Sequence, residues 1–263
     1  MSSAASSTAA SGSIEDLVAR QFGPQAAAYV TSAVHASGAD LEALGALLAG
    51  HGTARLLDLG CGGGHVSFTA APHVSEVVAY DLSDAMLAAV SGEAARRGFT
   101  NITTAQGVAE ALPFEDAAFD FVVSRYSAHH WRDLAAGLRH ARRVLKPGGR
   151  AVFMDVTAPE NPLLDTFLQT VEMLRDPSHV RDYRPSEWVR RAEEAGFLVE
   201  GVTDRRLRLE FESWVKRIAT PPVHAAAIRS LQDGASDEVR EHFALEADGT
   251  FTLDTLTLVL VPA

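Results

Sequence analysis

A chain of 263 residues with 47% apolar side chains is long enough for one large α/β domain with an embedded cap. Its formal net charge of −11 argues against a nucleic-acid surface, since phosphate neutralisation needs clustered Lys and Arg, and the basic pairs at 142–143, 190–191 and 205–206 are scattered. A single cysteine, Cys61, excludes an intramolecular disulfide and any multi-cysteine metal site, and no apolar run approaches the ~20 residues of a membrane span.

Residues 1–13 are rich in Ser and Ala, with no apolar core and no basic residue. They read as a disordered tail rather than a targeting signal, and the expected location is the cytoplasm. Over 14–50 the pattern is helical with a break at Gly23-Pro24; Asp40 is placed to cap a helix from Leu41, and Gly50 to end it. A first buried strand over 55–59 passes into a glycine-rich loop and a helix over 65–71. A second strand over 74–80 ends at Asp81, and Ser83 then caps a helix over 84–97 that Gly98 closes. Further strands are expected at 102–105, 119–124 and 150–156, with an amphipathic helix over 133–145 stopped by Lys146-Pro147-Gly148-Gly149. Beyond 156 come a helix over 161–175, a polar stretch over 176–185, and a helix over 187–195 capped by Ser186. A sixth strand over 197–202, helical pattern over 207–244 and a last strand over 250–261 complete the chain. Strands alternating with helices at this spacing predict a Rossmann-like, doubly wound α/β sheet with its strand C-termini along one edge. Residues 14–263 read as a single domain, with 14–50 as N-terminal lid helices and 157–185 and 207–245 as cap insertions.

Leu56-Leu57-Asp58-Leu59-Gly60-Cys61-Gly62-Gly63-Gly64-His65 carries the strongest functional signal. A buried strand that breaks into glycines before a helix is a nucleotide-type cofactor site, where a ligand approaches the backbone and meets exposed N–H groups. The spacing is D-x-G-x-G-x-G; the dinucleotide pattern G-x-G-x-x-G would need glycine at 65, where His65 stands. Asp81 is placed to accept hydrogen bonds from both hydroxyls of a ribose, the alternative being a helix-terminal acid. Leu82 follows it, and Met86 lies one turn on, against an adenine or in the core. Cys61 reads as a small residue packed within the loop.

Gly107-Val108-Ala109-Glu110-Ala111-Leu112-Pro113-Phe114, Phe119-Asp120 and Leu145-Lys146-Pro147-Gly148-Gly149-Arg150 extend this pattern. Together these motifs resemble those of the class I S-adenosylmethionine-dependent methyltransferases, in particular the type 11 branch that includes the ubiquinone/menaquinone-biosynthesis enzymes. The resemblance runs from about 21 to 150, and more loosely through Ser186-Glu187-Trp188 and Ala195-Gly196-Phe197. It implies a sheet of seven strands with the last antiparallel, S-adenosyl-L-methionine as cofactor, no metal, and methyl transfer to a small-molecule acceptor at O, C or N. The implied cofactor site takes in Tyr29, Asp58, Gly60, Gly62, Gly64, Asp81, Leu82, Met86, Val108, Ala109, Glu110 and Ser124. The family usually carries Asp after Gly107 to bond the adenine amino group. Val108 stands there in this chain, leaving the adenine to backbone groups around Ala109 or to Glu110.

By the same resemblance, Ser124-Arg125-Tyr126-Ser127-Ala128-His129-His130-Trp131 faces the methyl group and acceptor. Neighbouring side chains diverge, so His129 and His130 are not expected to share one ligand, and the further ligands of a metal site are missing. One of the two imidazoles can accept a proton from an acceptor hydroxyl; the alternative is that both pack beside the sheet edge. Arg125 either holds an anionic acceptor or pairs with an acid of the cap. With Tyr126, His179, Tyr183 and Trp214 it makes up the candidate acceptor pocket, while Tyr29, Phe22 and His35 belong to the lid. A monomer or homodimer is expected. Three rival classes share some of these signals: an S-adenosylmethionine-binding protein without catalysis, an NAD(P)-dependent oxidoreductase, and a nucleic-acid or protein methyltransferase.

Overall fold

The computed structural model describes residues 13–22 and 38–263. Tyr29, His35, the Gly23-Pro24 break and the stretch over 1–12 therefore lie outside the described residues. Helix α1 (Ile14–Phe22) and α2 (Ala39–Leu48) precede β1 (Arg55–Leu59), α3 (His65–Ala70), β2 (Glu76–Asp81), α4 (Asp84–Arg97) and β3 (Ile102–Gln106). Then follow β4 (Phe119–Arg125), α5 (Leu134–Val144), β5 (Leu145–Thr157), α6 (Pro162–Arg175) and α7 (Pro185–Glu194). The chain ends with β6 (Phe197–Leu209), α8 (Phe211–Arg217), α9 (Pro222–Asp233), α10 (Asp237–His242) and β7 (Phe251–Pro262).

The seven strands form one sheet in the order β3-β2-β1-β4-β5-β7-β6. The pairs β1–β2, β1–β4, β2–β3 and β4–β5 are parallel, whereas β7 runs antiparallel between β5 and β6. The central strands are apolar on both faces because helices cover both. Leu57, Tyr80, Val122 and Phe153 pack with Leu138, Trp188 and Phe197 on one side. On the other, Leu56, Val77, Val123 and Met154 pack with Leu41, Leu44 and Val66. This burial on both sides is why the parallel strands read as continuous apolar runs. A third cluster stands off the sheet edge, where α6, α8, α9 and α10 bury Leu168, Trp214, Ile228 and Phe243 against Phe251 and Leu253 of β7.

Local signals hold where the chain is regular. Ser83 Oγ accepts from Met86 N, and Gly98 ends α4 in the left-handed region, so that helix has the bounds its caps dictate. Strand β2 starts at Glu76 rather than 74, and four further expectations differ. Asp40 does not cap a helix from Leu41: α2 starts at Ala39 with Gly38 at its cap, and the Asp40 carboxylate turns to Arg125 instead. Strand β5 begins at Leu145 rather than 150, because Leu145 pairs with Phe119 ahead of a bulge. Helix α7 begins at Pro185, ahead of Ser186; the proline ring presets the first helical φ, and the Glu187 carboxylate accepts from Arg184 N at 3.1 Å. Strand β6 runs to Leu209, so residues 207–209 are strand, not cap helix. The Leu207 and Leu209 alternation is strand-like, and both pair with β7, opposite Leu253 and Phe251.

Candidate active site

The strand C-termini open onto a cavity of about 370 Å³. Its walls include the loop after β1, the starts of α2 and α4, the β4–β5 edge with the turn that follows β4, Asp182, and the layer of α6, α8, β6 and β7. Val18 and Phe22 of α1 reach it from the N-terminal side, and the Phe22 ring meets His130 edge-on with centroids 5.1 Å apart. A smaller cavity of about 60 Å³ adjoins it, lined by Gly107, Val108, Ala109, Glu110 and Tyr80, and shares Gly60, Asp81, Leu82 and His130.

The glycine loop is shaped by the end of β2. Gly60 N and Cys61 N both donate to Tyr80 O, at 2.8 and 3.0 Å, Gly62 N donates to Asp81 Oδ2 at 2.8 Å, and Gly64 N donates to Cys61 O. The expected display of free N–H groups is therefore not what these residues provide, because folding the loop back onto β2 consumes them. What the glycines provide is backbone freedom and room. Gly60 and Gly62 both lie in the left-handed region, a Cβ on Gly60 would collide with Ser127 Oγ, and a Cβ on Gly62 would enter open space. Cys61 is buried in a small apolar cluster with Phe68, Ala79 and Val90. Burial and the neighbouring Asp81 and Asp58 push its thiol well up, which leaves it inert as a nucleophile.

Asp81 accepts from Gly62 N on one oxygen and from Ser83 N on the other, at 2.8 and 2.9 Å. The carboxylate is thus oriented by backbone and faces both cavities with lone pairs to spare. Burial raises its pKa, against the pull of the Ser83 and Gly62 N–H groups. A ribose diol at Asp81, an adenine in the cleft of 107–110 and an amino-acid tail against Gly60 fit this donor and acceptor set. Tyr80 OH donates to Val108 O at 3.2 Å and braces that cleft, and Glu110 accepts from Asp133 N at 3.3 Å. Leu82 and Met86 line the main cavity.

Asp58, Gly64 and Ser124 are placed differently: none lines either cavity. Asp58 accepts from Ser67 N and Ser67 Oγ at 2.9 and 2.6 Å, and burial pushes its carboxyl up to about 7. It ties β1 to α3 beneath the loop. Gly64 caps α3, where a Cβ would press on Val90 and Phe68. Ser124 is buried at the end of β4 with its hydroxyl unpartnered.

Of the residues expected at an acceptor pocket or as a base, Arg125, Tyr126, His129, His130 and Trp214 line the cavity, whereas His179 and Tyr183 do not. Tyr183 is buried against Trp188 and beneath the Arg191 guanidinium. Arg125 pairs with Asp40 at 2.5 Å and stacks over the Tyr126 ring, so the acid it meets lies on the N-terminal helix rather than in the cap. Tyr126 has φ +51, a conformation costly for a bulky side chain and held by its N–H donating to Met154 O.

His129 and His130 do not diverge. They sit on a short 3-10 turn over Ala128–His130 that brings their ring centroids to 4.3 Å. Their environments separate them instead. His129 Nδ1 lies 2.7 Å from Asp155 Oδ1, while the other Asp155 oxygen accepts from Ala128 N at 2.9 Å. Burial works against a charged His129, but Asp155, with Asp182 and Glu172 behind it, outweighs burial and raises the imidazole to about 9. His130 Nδ1 lies 3.1 Å from Ser178 O, and burial together with the charge on His129 pushes it down to about 4. His179, hydrogen bonded to Gln169 Oε1, is pushed well down by burial and by both other histidines.

Three residues that the sequence reading missed belong to this site. Asp155 ends an apolar strand, the same signal as Asp58 and Asp81, and could have been found by it. Glu172 and Asp182 line the cavity from α6 and the 176–185 stretch, where neither has a distinguishing pattern. Among the described residues, no group of three or more His, Cys, Asp or Glu is arranged to hold a metal, and no helix is long and apolar enough to cross a membrane.

Comparison with known proteins adds ancestry to this geometry. A family described as a methyltransferase domain matches residues 57–153. YafE of Escherichia coli (strain K12) is 54% identical over 193 residues, spanning 73% of this chain and 93% of that protein. YcgJ of Bacillus subtilis (strain 168), named an uncharacterized methyltransferase, is 36% identical over 224 residues, or 85% of this chain and 88% of YcgJ. The YcgJ crystal structure matches with a TM-score of 0.81 at 34% identity, covering 85% of this chain and 98% of that one. A demethylmenaquinone methyltransferase of Chlorobaculum parvum (strain DSM 263 / NCIMB 8327) is 36% identical over 111 residues, 42% of this chain and 44% of that enzyme.

Proposed function

The chain belongs to the type 11 methyltransferase family, and from that premise we propose that it transfers a methyl group from S-adenosyl-L-methionine to a phenol- or quinol-type small molecule. The observation that carries this reading is that Gly60, Asp81 and His129 line one cavity. A site for a ribosyl cofactor and a site for proton removal thus open onto the same space. S-adenosyl-L-methionine supplies an electrophilic methyl group on a sulfonium, which leaves as a neutral thioether.

The protein's part is alignment, exclusion of water and handling of one proton. Asp81 orients the cofactor through its ribose, and the cleft over 107–110 takes the adenine without the usual Asp after Gly107. Phe22, Trp214 and Leu253 give the acceptor apolar walls. The Asp155 carboxylate holds the Nδ1 proton of His129, which leaves Nε2 to take a proton from the acceptor. A base whose conjugate acid titrates near 9 is matched to an aromatic hydroxyl, whose ordinary pKa is ~10. That match favours a phenol or quinol over an aliphatic alcohol, and the kinship with a demethylmenaquinone methyltransferase favours the same chemistry.

The test is transfer of labelled methyl from S-adenosyl-L-methionine to a panel of phenols, quinols, amines and carboxylates. Label in the phenol or quinol products is expected. Label in amines alone would remove the role given to His129. Cofactor binding with no transfer to any member would leave a binding protein and overturn the enzymatic reading.

A further inference from the structure

The acceptor cavity has a carboxyl group whose bonding is incomplete. Asp182 is 1% exposed and lines the cavity, yet its Oδ2 has no hydrogen-bond partner among the described residues. His179 Nε2 stands 3.9 Å away, beyond hydrogen-bonding reach, and is engaged with Gln169 Oε1 at 3.0 Å. An orphaned buried carboxyl costs stability, and native chains rarely keep one without a use.

The backbone around Asp182 is, by contrast, firmly fixed. Asp182 N donates to Gln169 Oε1 at 3.1 Å, and Gln169 Nε2 donates to Asp182 O at 2.8 Å. Just before it, Val180 N and Arg181 N both donate to His129 O, at 2.8 and 3.1 Å. The loop is therefore clamped to α6 on one side and to the His129 turn on the other. Its next neighbour Arg181 is drawn away into ion pairs with Asp165 and Glu187. The arrangement fixes the position of Asp182 while leaving its carboxyl for something else.

We propose that Asp182 is an acceptor-recognition residue whose carboxyl bonds an oxygen, hydroxyl or carbonyl, of the molecule that His129 deprotonates. This rests on the methyltransferase reading above. Asp182 stands beside Glu172, a second cavity-lining acid held only loosely by Arg175 at 3.6 Å. Burial, and then the charge on Glu172, push the Asp182 carboxyl well up, against the pull of His129, which favours the proton-bearing form that can donate. A neutral donor suits a quinol or quinone oxygen. An ammonium group would instead demand the anion, next to a His129 that already supplies positive charge.

The experiment uses the full chain, with S-adenosyl-L-homocysteine and 1,4-dihydroxynaphthalene under anaerobic conditions as probes, each titrated by calorimetry into wild type, Asp182→Asn and Asp182→Ala. The Asn variant keeps the shape and a donor, so the naphthalenediol should bind it within about threefold of wild type. The Ala variant should bind it about tenfold more weakly, the loss of one buried hydrogen bond. Homocysteine-cofactor binding should be unchanged in both. Without ligand, both variants should melt at or above the wild-type temperature, because an unpartnered buried acid has been removed; a structural role for Asp182 would lower it. Equal diol affinity in the Ala variant overturns the proposal. So does equal weakening in the Asn and Ala variants, which would mark an anion meeting a cation. Failure of wild type to bind the diol while binding the homocysteine cofactor overturns it too. Failure to bind S-adenosyl-L-homocysteine would strike the methyltransferase reading itself.

Discussion

The two halves of the site are built from different materials. Around β1 and β2 the cofactor side is mostly backbone: left-handed glycines, a loop folded onto Tyr80 O, and one carboxylate held by two N–H groups. Around α6 and the 176–185 stretch the acceptor side is mostly buried side chains: Asp155, Glu172, Asp176 and Asp182 close to three histidines and Arg175. A backbone site depends on what residues are not: a Cβ on Gly60 would strike Ser127 Oγ, and Gly60 and Gly62 both hold left-handed φ values that side chains disfavour. A side-chain site depends on which groups face one another and on how burial sets their charge. Loss of function should therefore come from steric change in the glycine loop or loss of the one carboxylate it positions on the first side, and from changes of charge on the second.

The largest expected effect is on the cofactor side. Asp81→Ala removes the acid that, alone among the described residues, lines both cavities, and S-adenosyl-L-homocysteine affinity should fall by about 100-fold in a calorimetric titration, as for a charged acceptor with two bonds to a ligand. A fall under threefold would dissociate the glycine loop from cofactor binding.

On the acceptor side, Asp155→Asn should lower kcat by about 30-fold while leaving cofactor affinity within twofold. The pH profile carries the sharper information. His129 is raised to about 9, so at neutral pH it holds a proton that it must lose before it can act as a base. The wild-type rate should climb with pH toward about 9, and Asp155→Asn, by removing the main cause of the rise, should shift the climb to lower pH. The linked stability has the opposite trend. A group whose folded pKa is raised stabilises the fold fully below its unfolded value of ~6.5, and that contribution is lost as pH rises through about 9. Thermal melts between those limits should lose this contribution in wild type and not in His129→Asn.

A smaller, favourable change is expected at the adenine cleft. Val108→Asp restores the acid usual in the family at a position lining the small cavity and should tighten the homocysteine cofactor by about threefold. Weaker binding would mean that Glu110 and Asp81 already saturate the cleft with negative charge. The smallest effect is Cys61→Ser, expected within about twofold on all kinetic constants, since the thiol is buried and held protonated.

What could be read beforehand divides along the same line. The bounds of β1, β3 and β4 follow to within a residue from apolar runs, and those of α4 from its local caps, so Ser83 and Gly98 mark that helix without tertiary knowledge. Gly60, Gly62 and Asp81 were readable because their role depends on residue type at a fixed spacing. The acceptor side offered no such local code. Asp182 sits in a polar stretch indistinguishable from a solvated loop, and only the clamp by Gln169 and His129 buries it. Tyr183 and His179 share that stretch but turn into the core and toward Gln169. His129 and His130 looked alike in sequence; Asp155, some 26 positions on, gives them opposite charge behaviour. The sequence pattern shows β6 only over 197–202 because Arg205-Arg206 masks an alternation that pairing with β7 completes.

The most direct measurement of the central claim is a pair of calorimetric titrations of the purified chain, one with S-adenosyl-L-methionine and one with NAD. Binding of one S-adenosyl-L-methionine per chain, lost in Asp81→Ala, with no heat from NAD, is the predicted result. Saturable NAD binding with no heat from S-adenosyl-L-methionine would contradict it.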